Sequence, residues 1–509
     1  MTLQENNGVA VIDGRSGEVS RIFSAGNAAV AWIDTADDGV VDQTGAIPAV
    51  PREPDAIGWI GERYLATANE GDWKGGTRGW SIFDAETGEI VWDAGNSFER
   101  LAVRTGLHLD KRADAKGPEP EGLAVTAVDG RPIVLVAAER SNFVAAYDVS
   151  APTAPVFRQI LPTTVGPEGI LPIPDRNLLV ISSEEDDAEA QVRGSLSVYG
   201  YVSAYVAQDV LPFPSIVSGD VEGAPIGWGA LGALAADPTD PNRLYTATDK
   251  AYGPARVLRV DVAQSPALID AELVVTETGQ PITLDVEGLA ARPDGGFVLA
   301  VEGEDGSDNQ LVWVAADGAI ERRLPLPADV ADRIGGQGLE GVAVDGDGVW
   351  VALQRELADD PAGVVRLGRY TPAQDRWEWY GSPLERTAVA GDWIGISEIA
   401  ASDGALLVLE RDKLNGPDAR VKRIYRVVFP DRPGASSGEG DLPVLTKTSA
   451  RDLLPDLRAT NGYVQEKIEG LAVAGNGRLY LVTDNDGVDD ANGETQFFDL
   501  GPVGEALAG

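Results

Sequence analysis

Cysteine is absent from the 509 residues, and histidine occurs once, at His108. Disulfides, thiolate metal sites, iron–sulfur clusters and cysteine nucleophiles are therefore excluded. Multi-histidine metal centres go with them, and a Ser–His–Asp triad survives only with His108 as its base. Methionine also occurs once, at Met1, and lysine eight times among 41 basic residues. No run of 18 apolar residues is present, so no membrane insertion is expected. The opening MTLQENNGVA has no signal-peptide pattern. The lack of internal methionine suggests an exported protein in mature form, secreted or periplasmic.

What is abundant is acid. Asp and Glu number 81, giving a net charge of −40 and a pI near 4.2. Phosphate backbones and anionic membranes would be repelled, so no nucleic-acid partner is expected. An Asp-rich, Lys-poor surface fits a halophilic habitat, or plain solubility. With 43% hydrophobic and 24% charged residues the chain is globular, and 60 glycines with 32 prolines suit a fold of many turns.

One phrase recurs: an acidic residue, often followed by Gly, then alternating apolar residues, a turn, and a second strand ending in a polar cluster. Its copies begin at Pro54-Asp55, Glu121-Gly122, Glu168-Gly169, the degenerate ALGALAADP (230–238), Glu287-Gly288, Glu340-Gly341, Ser397-Glu398 and Glu469-Gly470. Each copy is expected to be followed by a third alternating run rich in Val, Leu and Tyr, as strands are. No 3.6-residue periodicity recurs there, which excludes a helical solenoid. A small sheet repeated radially is the economical answer. In EGLAV one face carries Leu and Val and the other Gly and Ala, as innermost strands crowding an axis require. The fold class expected is all-β: a single β-propeller over 1–509, eight blades with seven as the alternative. The hairpin GVAVIDGRSGEVSRIF (8–23) would complete the last sheet and close the ring. Insertions are expected at about 92–118, with a short helix in SFERLAVRTG, and at 430–466, helical near ARDLLPDLRA.

In such a blade the head of strand one and the end of strand two share one mouth. The heads supply Asp55, Glu121, Glu168, Glu287, Glu340 and Glu469. The ends supply Glu70, Asp72, Glu139, Glu184, Glu302, Glu410, Asp484 and Asp486. A carboxylate ring in a narrow cleft needs protons or cations to neutralise it, and an oxygen-only ligand set selects hard cations, chiefly Ca²⁺. Ca²⁺ held by a subset of Glu121, Glu168, Glu287, Glu340, Glu469, Asp484 and Asp486 is the expectation. Arg140, Arg355 and Arg411 would take a small anionic substrate such as a phosphate ester. The competing reading is that a glutamate repeated in every blade only hydrogen-bonds its neighbour's backbone. The loop DNDGVDDANGE (484–494) resembles a calcium loop, and DTADDGVVD (34–42) does so less completely. His108, inside an insertion, reads as a surface residue.

KGPEPEGLAV (116–125), AAYDVSAPTAPVF (145–157) and VGPEGILPI (165–173) resemble bacterial choice-of-anchor I proteins. ISEIAASDGALLVLERD (396–412) and KIEGLAVAGNGRLYLVTDNDGVDDANGETQFFDLG (467–501) resemble the esterase-like activity of phytase domain. The resemblance implies an exported propeller related to phosphoesterases in which calcium ions at the mouth bind phosphate and activate water. Carried over by motif, Glu398, Glu410 and Glu469 become catalytic candidates beside Arg411, with Asp484, Asn485 and Asp486 as metal ligands. Three functions remain open: a Ca²⁺-dependent phosphoesterase, a metal-dependent lactonase-type hydrolase, and a non-catalytic envelope module with structural calcium. A monomer is expected.

Overall fold

A computed structural model describes residues 1–187, 192–201, 213–429, 433–436, 442–459, 463–488 and 493–508. The chain is all-β, built from successive small antiparallel sheets in the manner of a β-propeller. The longest helix among the described residues, Ser97–Arg104, has eight residues and falls in the expected insertion. A one-turn helix, Leu454–Arg458, marks the second insertion.

Each of the eight recurring phrases opens a sheet. Their first strands are Ile57–Ile60, Pro120–Val128, Pro167–Ile173, Leu231–Ala236, Asp285–Ala291, Leu339–Asp345, Ile394–Ser402 and Ile468–Val473. The chain divides into two compact units: residues 1–229 with 485–494, and residues 230–484 with 495–509. The first unit holds three of these sheets and the second holds five.

The repeated glutamates sit at an irregularity of the pairing. Cross-strand register skips Gly232, Glu287, Glu340-Gly341, Ser397 and Glu469 in the second unit, and Glu121-Gly122 and Glu168 in the first. A bulge leaves the extra residue unpaired and re-aims its side chain. The glycine that follows has its own cause. A Cβ on Gly288 would strike the Glu340 carbonyl, one on Gly341 the Glu398 carboxylate, and one on Gly122 the Glu168 carbonyl. Neighbouring first strands approach too closely for a side chain there, as the small-residue face of EGLAV requires.

In the second unit those first strands pack in a cycle. Leu231–Ala236 lies against Asp285–Ala291, that against Leu339–Asp345, then Ile394–Ser402, then Ile468–Val473, which returns to Leu231–Ala236. At the return, the Asn476 amide donates to the Pro241 carbonyl at 3.0 Å. Between sheets lie apolar cores. One is built on Trp350, Tyr370, Trp379 and Ile396, another on Leu289, Leu299, Val301 and Val312.

The N-terminal hairpin corrects an expectation. Its strands Gly8–Ile12 and Val19–Ser24 join Thr2–Leu3 in a three-stranded sheet of their own. The last sheet consists of Ile468–Val473, Arg478–Thr483 and Phe497–Pro502. Thr2–Leu3 supplies the partner edge the hairpin needs, while Val9 and Phe23 bury against Leu65 and Phe83. His108 is a second correction. It is 1% exposed, and its Nε2 lies 3.2 Å from Asp34 Oδ2. The insertion folds over the 34–42 loop, where Asp110 accepts from the Asp38 and Gly39 amides.

Candidate functional site

In the second unit, carboxylates gather at a strand-one head and a strand-two end. One carboxylate oxygen each from Asp285, Glu287 and Glu302 lies within 4.8 Å of the other two. Asp285 and Glu287 head a first strand; Glu302 ends its partner Phe297–Glu302, which is the convergence expected of two strands sharing a mouth. Lys250 donates to Asp285 Oδ2 at 2.6 Å, and the Gly338 amide donates to Glu302. Burial, then the charges of Asp285 and Glu469, push the Glu287 carboxyl well above its ordinary range. Glu340 is raised the same way, by burial, Glu287 and Glu469, against the opposing pull of Arg411.

Arg411 organises the inner side. It is 3% exposed. Its Nε donates to Ser397 Oγ at 3.0 Å, Nη1 to Glu466 at 3.0 Å and Nη2 to Glu469 Oε1 at 2.8 Å. The Trp393 ring stands 5.2 Å from this guanidinium and 4.8 Å from that of Arg355. Gln354 donates to Glu340. Among the described residues, the buried oxygens Asp285 Oδ1, Gln354 Oε1 and Glu469 Oε2 accept no hydrogen bond. These are acceptors, so the partner they call for is a cation or a donor. Oxygen donors of this kind suit a hard divalent ion.

The remaining candidates from the sequence fall in different places. Glu398 occupies the position that glycine holds in its sister repeats. It is fully buried, accepts from the Ile399 amide at 2.8 Å, and is raised well above the carboxylate range by burial. Glu410 lies next to Arg411 on a strand, so the two side chains point to opposite faces. It accepts from Lys447 Nζ at 2.6 Å and from the Glu385 amide at 3.1 Å, and burial raises its carboxyl. Asp484 pairs with Lys467 at 3.5 Å.

Glu121, Glu168, Arg140, Asn485 and Asp486 belong to the first unit. There Asp55, Glu70 and Glu121 also bring carboxylate oxygens within 4.8 Å of one another. Burial, a hydrogen bond with Glu139 and the charges of Glu139, Glu70 and Glu168 push Glu121 to about 9. Arg140 pairs with Glu139 at 2.8 Å and Glu119 at 3.4 Å. Asn485 donates to the Gly106 carbonyl at 2.8 Å. Residues 489–492 of the expected calcium loop lie outside the described residues. The sequence reading passed over Asp285, Gln354, Trp393 and Glu466. Asp285 stands two residues before Glu287 with the same strand orientation, a period-two signal that was legible. Trp393 and Glu466 lie in connections and gave none.

The model of the family described as esterase-like activity of phytase matches residues 226–487, and that of the choice-of-anchor I domain matches residues 1–75 and 74–152. Gigasin-3a of Magallana gigas is 32% identical over 91 residues, 15% of this chain and 32% of that protein. The chain thus spans about a third of that curated relative's length. Solved structures with partial likeness include a xyloglucanase from Xanthomonas campestris (16% identity, 65% of this chain and 54% of that chain, TM-score 0.26). Another is apo AztD from Citrobacter koseri (12% identity, 75% and 92%, TM-score 0.21). A third is a protein of unknown function from Desulfotomaculum acetoxidans (12% identity, 73% and 96%, TM-score 0.23). At these scores the structural likenesses carry no argument.

Proposed function

The chain belongs to the esterase-like activity of phytase family, and on that premise we propose that its second unit is a calcium-dependent phosphoesterase. The observation that carries this reading is the meeting of Asp285, Glu287 and Glu302 with open acceptor oxygens on Asp285 and Glu469. Asp285, Glu287, Glu302 and Glu469 are the residues that would hold Ca²⁺. Bound there, the ion would supply Lewis-acid polarisation of a phosphoryl oxygen and a more acidic water. The chain's own part is to fix the carboxylates. Bulges aim them, Arg411 holds Glu469 from beneath, and Gln354 holds Glu340. We also read the cyclic packing of the five first strands as a five-bladed ring within residues 230–484 and 495–509, in place of one ring of eight. Export and a monomeric state remain part of the proposal.

Metal analysis with an activity panel on phosphate esters and lactones, with and without EGTA, tests it. The expected outcome is bound calcium and EGTA-sensitive ester hydrolysis, both lost in Glu469→Gln, which removes one ligand charge at constant volume. Hydrolysis of lactones alone would favour the lactonase-type reading. Calcium binding without turnover of any substrate would favour the non-catalytic one.

A further inference from the structure

Resting on the calcium site of the phosphoesterase reading, we infer that Lys250 is a built-in counter-ion of that site. Its ammonium pairs with Asp285 while the carboxylates hold no metal, and a divalent cation enters by displacing it.

Lys250 stands where the repeat fails. The degenerate phrase ALGALAADP is skipped by the pairing at Gly232, where Asp285–Ala291 is skipped at Glu287 and Ile468–Val473 at Glu469. Its sheet therefore brings no head glutamate of its own. Its second strand, Arg243–Thr248, runs out into Asp249-Lys250. The first strand of that sheet packs against Asp285–Ala291, and the lysine reaches the neighbour's carboxylates.

Lys250 Nζ donates to Asp285 Oδ2 at 2.6 Å, and the charges of Asp285, Glu302 and Glu287 all act on the ammonium. Its side chain is 66% exposed, which by itself describes a weak surface ion pair. The partner sets this pair apart. The Asp285 side chain is 11% exposed, its Oδ1 is buried without a hydrogen-bond partner, and Glu287 and Glu302 each bring an oxygen within 4.8 Å. One ammonium among three carboxylates leaves the group short of positive charge. A divalent ion supplies twice that charge to the same oxygens. Departure of the lysine breaks one hydrogen bond and returns a strongly hydrated ammonium on a flexible stem to water. Arg411 is the contrast: it is buried and tied to Ser397, Glu466 and Glu469, so the cation at Glu469 is fixed and the one at Asp285 is loose. A monovalent ion brings no more charge than the ammonium it would replace, so Lys250 also makes the site discriminate against sodium.

The test is calorimetric titration of the full chain with CaCl₂ after removal of metal with EGTA, the site being identified as the binding lost in Glu287→Gln. Lys250→Met should bind calcium there at least tenfold more tightly than the wild type, and Lys250→Arg, which keeps the charge, within about threefold of it. In the wild type, acetylation of Lys250 by acetic anhydride, read by mass spectrometry, should run at least threefold faster in CaCl₂ than in EGTA. Lys447, held by buried Glu410, should label alike in both. The inference stands only if the tighter binding and the faster labelling are both seen. Equal or weaker binding by Lys250→Met, or labelling that ignores calcium, overturns it and leaves the calcium site intact. Absence of calcium binding in wild type and variant alike overturns the calcium site and this inference together. Both effects without hydrolysis of any ester sustain the counter-ion and overturn the phosphoesterase reading.

Discussion

Glu121 in the first unit and Glu469 in the second hold the same place in their repeats. Each is skipped by the pairing at the head of a first strand. Their neutralisation differs. Glu121 shares a hydrogen bond with Glu139 and is pushed to about 9, so a proton quenches it at neutral pH. Glu469 is quenched on one oxygen by buried Arg411 and leaves the other open. The bulge places a carboxylate at the mouth in both cases, and what surrounds it decides whether proton, arginine or metal completes it. A repeat thus fixes position, while chemistry comes from the residues that break the repeat.

The largest expected effect breaks the comparison at its basic partners. Arg411→Met strips Glu466 and Glu469 of their cation in a buried setting and should cost about 3–5 kcal/mol. Arg140→Met removes a side chain that is 36% exposed, from beside Glu139 and Glu119; Arg112 still holds Glu119 at 2.8 Å, and Glu139 keeps its hydrogen bond with Glu121. Its cost should be about 0–1 kcal/mol. Chemical denaturation of both variants checks the pair. Equal losses would mean that the two mouths are neutralised alike.

Next in size are changes in which the units should agree. Gly341→Ala and Gly122→Ala each force a Cβ into the neighbouring first strand. Overpacking of this kind costs about 1–3 kcal/mol, and both variants should lose stability by comparable amounts in thermal unfolding. A neutral result in either unit would remove close strand approach as the reason for the glycine.

A smaller effect separates proton from metal. Glu121 is raised from 4.5 to about 9, so between those values the folded protein binds the extra proton. Its contribution is complete below 4.5 and is lost as pH rises toward 9. Glu139, Glu70 and Glu168 add to the rise, while Arg140 acts on Glu139 in the opposite sense. Glu121→Gln should flatten the decline in stability between pH 5 and 8.5 without changing calcium affinity, read by denaturation and calorimetry. An unchanged slope would place the shared proton elsewhere.

Much of this was legible in the sequence. The eight phrases marked eight sheets because a period-two run ended by Gly or Asp turns admits little else. Glu287 and Glu302 followed from strand geometry, since head and end of a hairpin must share a mouth, while Asp285, two residues before Glu287, was passed over. The division into two units was not legible. It depends on which first strand the last one meets, and Ala233, Leu234 and Gly470 look like their counterparts in every other repeat. The burial of His108 was missed because its partner Asp34 lies 74 residues away, joined only by the folding of an insertion.

The smallest effect concerns Glu398, which tests how closely motif follows role. Its repeat reads Ile396-Ser397-Glu398-Ile399 where the others read apolar-Glu-Gly-apolar. Ser397 takes the mouth position and receives Arg411 Nε, while the glutamate falls one place later, against Gly341 and the Ile399 amide. Burial raises its carboxyl well above the ordinary range, which favours the neutral acid. An amide has the same shape and the same charge there. Glu398→Gln should change stability by less than about 1 kcal/mol and leave kcat/KM for any ester substrate within about threefold. Glu469→Gln should abolish turnover on the same substrate. Were Glu398 a general base, its amide variant would lose about 10²–10⁴-fold in kcat. Side-by-side kinetics of the two variants, with their melting curves, decides whether this glutamate is chemistry or the packing that fills a glycine's place.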